Sequence, residues 1–266
     1  MNNCSKRDII ALDKIYHKLP RVISKHKVVI SLTTIPSRIH EIYPTLCSLL
    51  SQSHKVDEII INLPMKTLKN KKYKIPTCLK NLNNIKIFRP RHDLGPSTKL
   101  LPTALREDPN TRIIVVDDDN IYGHKLAYNL VKTFNSKQCV VTNFGSDNSV
   151  GSWKRHKDYY NGNIYVDRLF GCGGYILTPK MLPSGVYNYT NAPDGAKYVD
   201  DNWISGWLKL DKIPIYLMGL KQGCSFFPSY TVGGLSLSGG VNKNGTHEKR
   251  VDTWFERKLN SSFGLK

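Results

Sequence analysis

Short apolar runs alternate with amphipathic segments from residue 27 onward. Apolar residues at helical spacing predict helices over 39–52 and over 97–106, the second interrupted at Pro102, and another that begins near Leu126. Five runs rich in Ile and Val predict buried β-strands at 27–32, 57–63, 85–88, 112–116 and 139–143. Strands that alternate with helices are typical of βαβ units, so we expect an α/β fold with a mostly parallel sheet.

The pattern changes in the second half of the chain. Gly, Asn, Tyr and Trp dominate 150–175, helical spacing returns only near Trp203, and 221–266 is rich in Gly, Ser and basic residues. We therefore expect three parts, namely an N-terminal appendage over 1–26, an α/β half over 27–148, and a loop-rich substrate half with a C-terminal tail over 149–266.

Composition narrows the classes of protein that the chain can represent. The 266 residues carry a formal net charge of +18, which favours nucleic acid, anionic lipid or phosphorylated small molecules as partners. A genome biased toward Lys, Asn and Ile would give the same excess. No run approaches the ~20 apolar residues of a membrane span, and the N-terminus lacks the apolar core of a signal peptide. The six cysteines are scattered singly, so we expect reduced thiols and a cytoplasmic location.

Three consecutive aspartates follow the predicted strand at 112–116. Carboxylates at the end of a buried strand repel one another and lose solvation, and a hard divalent cation is the usual compensation. Asp117 and Asp119 are two residues apart, so in an extended chain both point the same way, whereas Asp118 points elsewhere. The alternative is that these residues form a solvated loop or only cap the next helix.

Polar loops also follow the first and third predicted strands. The first contains Thr33, Thr34 and Arg38, whose side chains could contact a base or a phosphate. The other contains Asp93, a possible acceptor for ribose hydroxyls, and Lys99, a cation suited to a phosphorylated ligand. Each loop could equally serve as a helix cap. Ligands of open α/β sheets bind beyond the carboxyl ends of the strands, so we expect these loops to converge.

Three further features lie in the loop-rich half. Asp200 and Asp201 open a predicted helix, where they act either as dipole-stabilising caps or as a general base. Gly173 and Gly174 allow close approach to a ligand or form a simple bulge. His247 lies among basic residues, as a metal ligand or as an ordinary surface histidine.

Taken in order, these segments resemble a known family. The segments are Ser-Leu-Thr-Thr-Ile-Pro-Ser-Arg, Asp-Leu-Gly-Pro-Ser-Thr-Lys, Val-Val-Asp-Asp-Asp-Asn, Gly-Cys-Gly-Gly-Tyr and Asp-Asp-Asn-Trp. Over roughly 27–220 the chain resembles nucleotide-sugar glycosyltransferases of the GT-A fold, in the broad family-2-like group. The resemblance implies a Rossmann-like, mostly parallel sheet flanked by helices. It assigns donor binding to 27–148 and acceptor binding to 149–266.

The resemblance also implies roles for individual residues. Asp119 and Asp117 of the Asp-x-Asp motif, with His247, would bind Mn²⁺ or Mg²⁺. Asp201, paired with Asp200, would be the general base of an inverting reaction, although the same fold also supports retention. The donor nucleotide-sugar would contact Thr33, Thr34, Arg38, Asp93, Lys99, Asp117, Asp118, Gly173 and Gly174.

The implied partners are a nucleotide-diphosphate sugar and an acceptor that is a glycan, a protein or a small molecule. No nucleic acid is expected, and peripheral contact with a membrane is compatible with the charge. The chain departs from processive members of the family, since it lacks their Gln-x-x-Arg-Trp motif and their membrane helices.

Two other functions compete with sugar transfer. The segment from Asp117 to Ile121 loosely fits the motif of haloacid-dehalogenase-like phosphatases, in which Asp117 would be the nucleophile and Asp119 its partner. That motif normally follows the first strand of the fold, whereas three strands are expected here before the strand that leads to it. A basic nucleic-acid-binding protein is the other alternative, because cations and aromatics alternate over 153–160.

Overall fold

The computed structural model describes residues 4–147, 163–219, 226–228 and 244–262. Eight of its strands form one sheet in the order β3-β2-β1-β4-β10-β6-β11-β8. The strands of this sheet are β1 (Val28–Thr33), β2 (Glu58–Asn62), β3 (Ile85–Phe88), β4 (Arg112–Val115), β6 (Val140–Thr142), β8 (Ile164–Val166), β10 (Tyr175–Leu177) and β11 (Ile215–Leu217). Two small sheets pair β5 (Asn120–Tyr122) with β12 (Phe226–Pro228), and β7 (Gly145–Ser146) with β9 (Arg168–Leu169).

The α/β expectation is confirmed. Strands β3, β2, β1 and β4 are parallel, and β6 is parallel to β11. Strand β10 lies between β4 and β6 and is antiparallel to both, which no apolar pattern in the sequence indicated. The five expected strands are all present, each ending within two residues of its predicted bounds.

Helices cover both faces of the sheet. One face carries α1 (Lys6–Tyr16), α2 (Tyr43–Leu50), α3 (Thr77–Lys80) and α5 (Leu126–Lys137), and the other carries α4 (Leu101–Arg106), α6 (Asp200–Leu210) and α7 (Thr246–Ser262). Successive strand side chains point to opposite faces, so Ile30 joins the first core and Val29 the second. Both faces are therefore buried, as a mostly parallel sheet requires.

Two of the expected helices differ from their predicted bounds. The helix expected over 39–52 begins only at Tyr43, and Pro44 lies in its first turn, where its missing amide N–H leaves no helical hydrogen bond unmade. The helix expected over 97–106 is a 3₁₀ helix, Gly95–Lys99, followed by α4. The break between them falls at Leu100, and Pro102 is accommodated in the first turn of α4.

The expectation of reduced cysteines is wrong for one pair. Cys4 and Cys47 form a disulfide, with their Cα atoms 6.6 Å apart. The two cysteines are 43 residues apart in sequence and meet because α1 packs against α2. The same packing buries Ile9 and Tyr16 of α1 in the core, and the Tyr16 hydroxyl accepts a hydrogen bond of 3.0 Å from the Val56 amide. Cys78, Cys139 and Cys172 are free.

Among the described residues, no helix combines the length and the apolar character that crossing a membrane requires.

Candidate active site

The carboxyl edge of the sheet brings together charged side chains from four separate segments. Asp117–Asp119 follow β4, and Arg38 lies in the turn after β1. Lys99 ends the 3₁₀ helix that follows β3, and Asp200 opens α6. The aspartate triplet therefore lies against the loops from which the sequence predicts a ligand site, and not on a distant outer surface.

Lys99 lies at the centre of this cluster. Its Nζ is 2.6 Å from Asp117 Oδ1 and 2.9 Å from Asp200 Oδ2, and the residue is only 4% exposed. Burial disfavours the charged amine, but the attraction of Asp117, Asp200 and Asp201 outweighs burial and raises the pKa of Lys99 well above its ordinary value. Lys99 is therefore a permanent cation that links the aspartate triplet to the start of α6.

A buried polar network beneath the site holds the backbone of Lys99. The Ser31 hydroxyl donates a 2.5 Å hydrogen bond to the Lys99 carbonyl. The Asn62 amide in turn donates to the Ser31 and Thr103 hydroxyls, both at 3.0 Å. All three polar side chains are fully buried, so their hydrogen bonds are shielded from water. Strands β1 and β2 thereby fix the end of the 3₁₀ helix.

Arg38 binds the far side of the triplet. Its guanidinium is 2.7 Å from Asp118 Oδ1 and 3.3 Å from Asp119 Oδ2. Asp118 is the buried member, with a side chain 5% exposed, whereas the side chains of Asp117 and Asp119 are 27% and 32% exposed. Burial raises the pKa of Asp118 to about 7 despite the attraction of Arg38. Burial, followed by repulsion from Asp117, also raises the pKa of Asp119.

The cluster holds more acidic than basic groups. Its carboxylates are Asp117, Asp118, Asp119, Asp200 and Asp201, and its cations are Arg38 and Lys99. The raised pKa values of four of these acids follow from burial, and mutual repulsion adds to them. A divalent cation would relieve that repulsion.

Asp117 and Asp119 present the hard oxygen donors that Mg²⁺ and Mn²⁺ prefer. Within the part of the chain that the structure describes, no three His, Cys, Asp or Glu side chains together form a ready-made metal site. Two carboxylates are the kind of protein ligand set that an ion of the Mg²⁺ type takes, since it keeps several waters and completes its coordination with phosphates.

His247 lies elsewhere among the described residues. It is in the first turn of α7, where its ring packs 5.6 Å from that of Tyr198 and against the backbone of Gly195. Gly195 has φ +87°, and any side chain there would overlap the imidazole. The described contacts join His247 to this turn and not to Asp117 or Asp119.

Asp201 and Asp200 occupy the first turn of α6 but face different partners. Asp200 is 5% exposed and pairs with Lys99, whereas Asp201 is partly exposed and its Oδ1 accepts a 3.0 Å hydrogen bond from the Gly171 amide. Burial and the repulsion of Asp200 raise the pKa of Asp201 well above its ordinary value. A partly exposed carboxylate with a raised pKa is suited to accept a proton.

The glycine that contacts the charged cluster is Gly171, and not the predicted Gly173 or Gly174. A Cβ at Gly171 would overlap Lys99 Nζ and lie 3.2 Å from Asp201 Oδ1. The two predicted glycines shape the loop behind it. Gly173 packs against Phe144, and Gly174 takes φ +79° while its amide donates to the Gly171 carbonyl at 3.0 Å. Gly171 belongs to the same glycine-rich motif, so this motif was the sequence feature that could have identified it.

The remaining predicted donor residues border the cluster, and each takes part in a hydrogen bond that involves the backbone. The Thr33 hydroxyl donates to the Asn62 carbonyl at 2.7 Å, and the Thr34 carbonyl accepts from the Tyr73 hydroxyl at 2.6 Å. Asp93 accepts hydrogen bonds of 2.8 Å from the Leu68 and Gly95 amides, so its carboxylate holds the shape of the loop.

Three tyrosines of the site were not predicted. The Tyr122 hydroxyl accepts a 2.8 Å hydrogen bond from the Asp117 amide. Tyr175 is fully buried beside Lys99 and Asp200, and Tyr73 lies within electrostatic range of Asp93 and Asp118. The chain contains 14 tyrosines, and nothing in their spacing separates these three from the rest.

Comparisons with known proteins give a fold but no family. No protein-family model and no curated protein matches the chain. The structure is similar to crystal structures of TarS from S. aureus, a glycosyltransferase. In one, the similarity covers 78% of this chain and 37% of TarS, with 15% identity and a TM-score of 0.51. In a structure of TarS residues 1–349, it covers 74% of this chain and 59% of that chain, with 12% identity and a TM-score of 0.48. The chain thus spans less than two thirds of either TarS chain. The similarity at a TM-score of 0.51 shows that its mixed α/β fold resembles that of TarS.

Proposed function

We propose that the protein transfers a sugar from a nucleotide-diphosphate sugar to an acceptor hydroxyl, with the help of a divalent metal ion. The similarity to the TarS fold supports a glycosyltransferase-like activity. The observation that carries the proposal is the position of Lys99, which contacts both Asp117 and Asp200. One residue thereby connects the acidic triplet, suited to the donor, with the helix turn that carries the candidate base.

The donor side of the site would bind the diphosphate. Asp117 and Asp119 would hold Mn²⁺ or Mg²⁺, which acts as a Lewis acid on the phosphate oxygens when bound. Lys99 and Arg38 provide fixed positive charges beside these carboxylates. Charges held in place before the reaction can offset the negative charge that develops on the departing nucleoside diphosphate without further reorganisation.

The acceptor side would be organised by Asp201. As the acceptor oxygen attacks the anomeric carbon, its proton passes to the Asp201 carboxylate, and the bond to the diphosphate breaks. The Gly171 amide fixes the orientation of this carboxylate. Burial and the negative charge of Asp200 raise its basicity, and Lys99 offsets part of that increase. Direct displacement with a base on the acceptor side inverts the anomeric configuration.

The alternative functions have less support. Three strands precede β4, the internal strand that leads to Asp117, whereas the phosphatase motif normally follows the first strand. The segment that favours nucleic-acid binding contains Trp153, Lys154, Arg155, His156, Lys157, Tyr159 and Tyr160, which lie outside the described residues.

The test separates donor binding from transfer. Nucleotide sugars are first screened with the wild-type protein for Mn²⁺-dependent transfer or slow hydrolysis. Binding and transfer of the active donor are then measured for Asp201→Asn and for the control Asp211→Asn, which changes an exposed residue after α6. We expect Asp201→Asn to bind the nucleotide as wild type does and to lose transfer by about a hundredfold or more. Transfer at the wild-type rate in Asp201→Asn would contradict its role as the base.

A further inference from the structure

Helix α7 separates its charges into two stripes. Glu248, Asp252 and Glu256 follow one another at intervals of four residues and so share one side of the helix. Asp252 of this acidic stripe accepts hydrogen bonds from Arg168 at 2.7 Å and from Asn202 of α6 at 2.8 Å. The acidic side is therefore turned toward the body of the protein.

The basic side of α7 borders an open cleft of about 450 Å³. Its cations are Lys249, Arg250 and Arg257, all exposed, and none of the described residues forms an ion pair with them. The remaining described lining consists of Pro193, Thr246, Thr253 and Trp254, so no acidic side chain in it offsets the positive charge. We call this feature the α7 cleft.

The spacing of the cations selects the kind of anion that fits. Arg250 and Arg257 are seven residues apart, which places them on the same side of the helix and about 10 Å apart along its axis. A ligand that carries several negative charges along its length can pair with both guanidinium groups while each side chain stays extended, whereas a single phosphate would require the two side chains to converge. The hydroxyls of Thr246 and Thr253 add hydrogen-bonding groups, and Trp254 adds an aromatic surface.

The α7 cleft is connected to the candidate active site through one short segment. The 3₁₀ helix Ala196–Tyr198 packs against α7 on one side and against the 3₁₀ helix Gly95–Lys99 on the other. The chain then continues directly into Asp200 and Asp201. A ligand that enters at Pro193 therefore lies next to the segment that leads to the candidate base.

We propose that the α7 cleft binds an extended polyanion with phosphate-like charges. On the proposed function, which this inference extends, that polyanion is the acceptor. The cleft selects it by charge spacing, and the hydroxyl that receives the sugar is presented toward Asp201.

The test uses a short linear polyphosphate, long enough to span about 10 Å, as the probe. Its binding to the full chain is measured in EDTA, where metal-dependent donor binding is absent, for wild type, for Arg250→Ala/Arg257→Ala, and for Lys66→Ala/Lys69→Ala. The last variant is the matched control, because it removes two exposed positive charges that are distant in sequence from α7. We expect the arginine variant to bind polyphosphate about tenfold more weakly or worse and the lysine control to bind it as wild type does. Orthophosphate should bind to the wild-type protein at least about tenfold more weakly than polyphosphate does.

Three results would overturn the proposal, two of them in the polyphosphate measurements. One is equal polyphosphate affinity in the arginine variant and the lysine control, and the other is orthophosphate binding as tight as polyphosphate binding. Tighter binding of a single-stranded oligonucleotide that depends on Arg250 and Arg257 would also overturn it, in favour of a nucleic-acid site. Mn²⁺-dependent nucleotide binding is measured on the same variants, so failure of the sugar-transfer proposal is recognised separately.

Discussion

Replacing Lys99 by methionine tests the electrostatics of the site. Methionine keeps most of the side-chain volume but leaves Asp117, Asp200 and Asp201 without their shared cation. The side chains of Lys99 and Asp200 are 5% and 7% exposed, so solvent screens their interaction little. Removing one partner of a buried ion pair costs about 3–5 kcal/mol. A domain of this kind has a total stability of about 5–15 kcal/mol, so the loss is a large fraction.

The loss should depend on pH in a defined direction. Lys99 stays charged throughout the neutral range, since its pKa is raised. The pKa values of Asp200 and Asp201 are already raised, and losing Lys99 raises them further. Acids with a raised pKa destabilise the fold as the pH rises from their ordinary value of about 4 through the raised one. The deficit of Lys99→Met should therefore be largest near neutral pH and shrink toward pH 4.

Urea unfolding across this pH range, followed by circular dichroism, measures the deficit. The exposed control Lys66→Met should stay within about 0.5 kcal/mol of wild type. The double variant Lys99→Met/Asp200→Asn should be more stable than Lys99→Met alone by at least about 0.5 kcal/mol, because it also removes one uncompensated charge. A Lys99→Met protein as stable as wild type, or one whose deficit does not change with pH, would refute this reasoning.

Two further substitutions probe how the site is held. Gly171→Ala places a Cβ against Lys99 Nζ and near Asp201, so we expect the rate of sugar transfer to fall by about tenfold or more. Thermal unfolding should show that the variant is folded. A wild-type rate would contradict the geometry. Asn62→Ala removes the amide that donates hydrogen bonds to Ser31 and Thr103, so we expect the free energy of unfolding in urea to fall by about 1–3 kcal/mol. A change within about 0.5 kcal/mol would contradict the role of this network.

Much of the fold follows from local patterns in the sequence. The five strands with apolar, β-branched runs were predicted because a strand buried on both faces has a continuous apolar run. The meeting of Arg38, Lys99 and the aspartate triplet followed from a general property of parallel sheets, whose carboxyl ends share one edge. These inferences need only the order of elements along the chain.

Features that depend on tertiary packing did not follow. Strand β10 has three residues, Tyr175–Leu177, and its antiparallel insertion between β4 and β6 reflects the path of the chain rather than its own sequence. The Cys4–Cys47 disulfide depends on α1 packing against α2. Gly171 contacts Lys99, whereas Gly173 packs against Phe144. This difference depends on the path of the folded backbone, which a glycine-rich motif does not reveal.

The central claim is that the acidic triplet holds a divalent cation against the diphosphate of the donor. Calorimetric titration with nucleoside diphosphates, with and without Mn²⁺, tests it on wild type and on Asp119→Ala. We expect Mn²⁺ to strengthen binding by about tenfold or more in wild type and to have no effect in Asp119→Ala, with both proteins equally folded. Equal nucleotide affinity with and without Mn²⁺ in the wild-type protein would contradict the account.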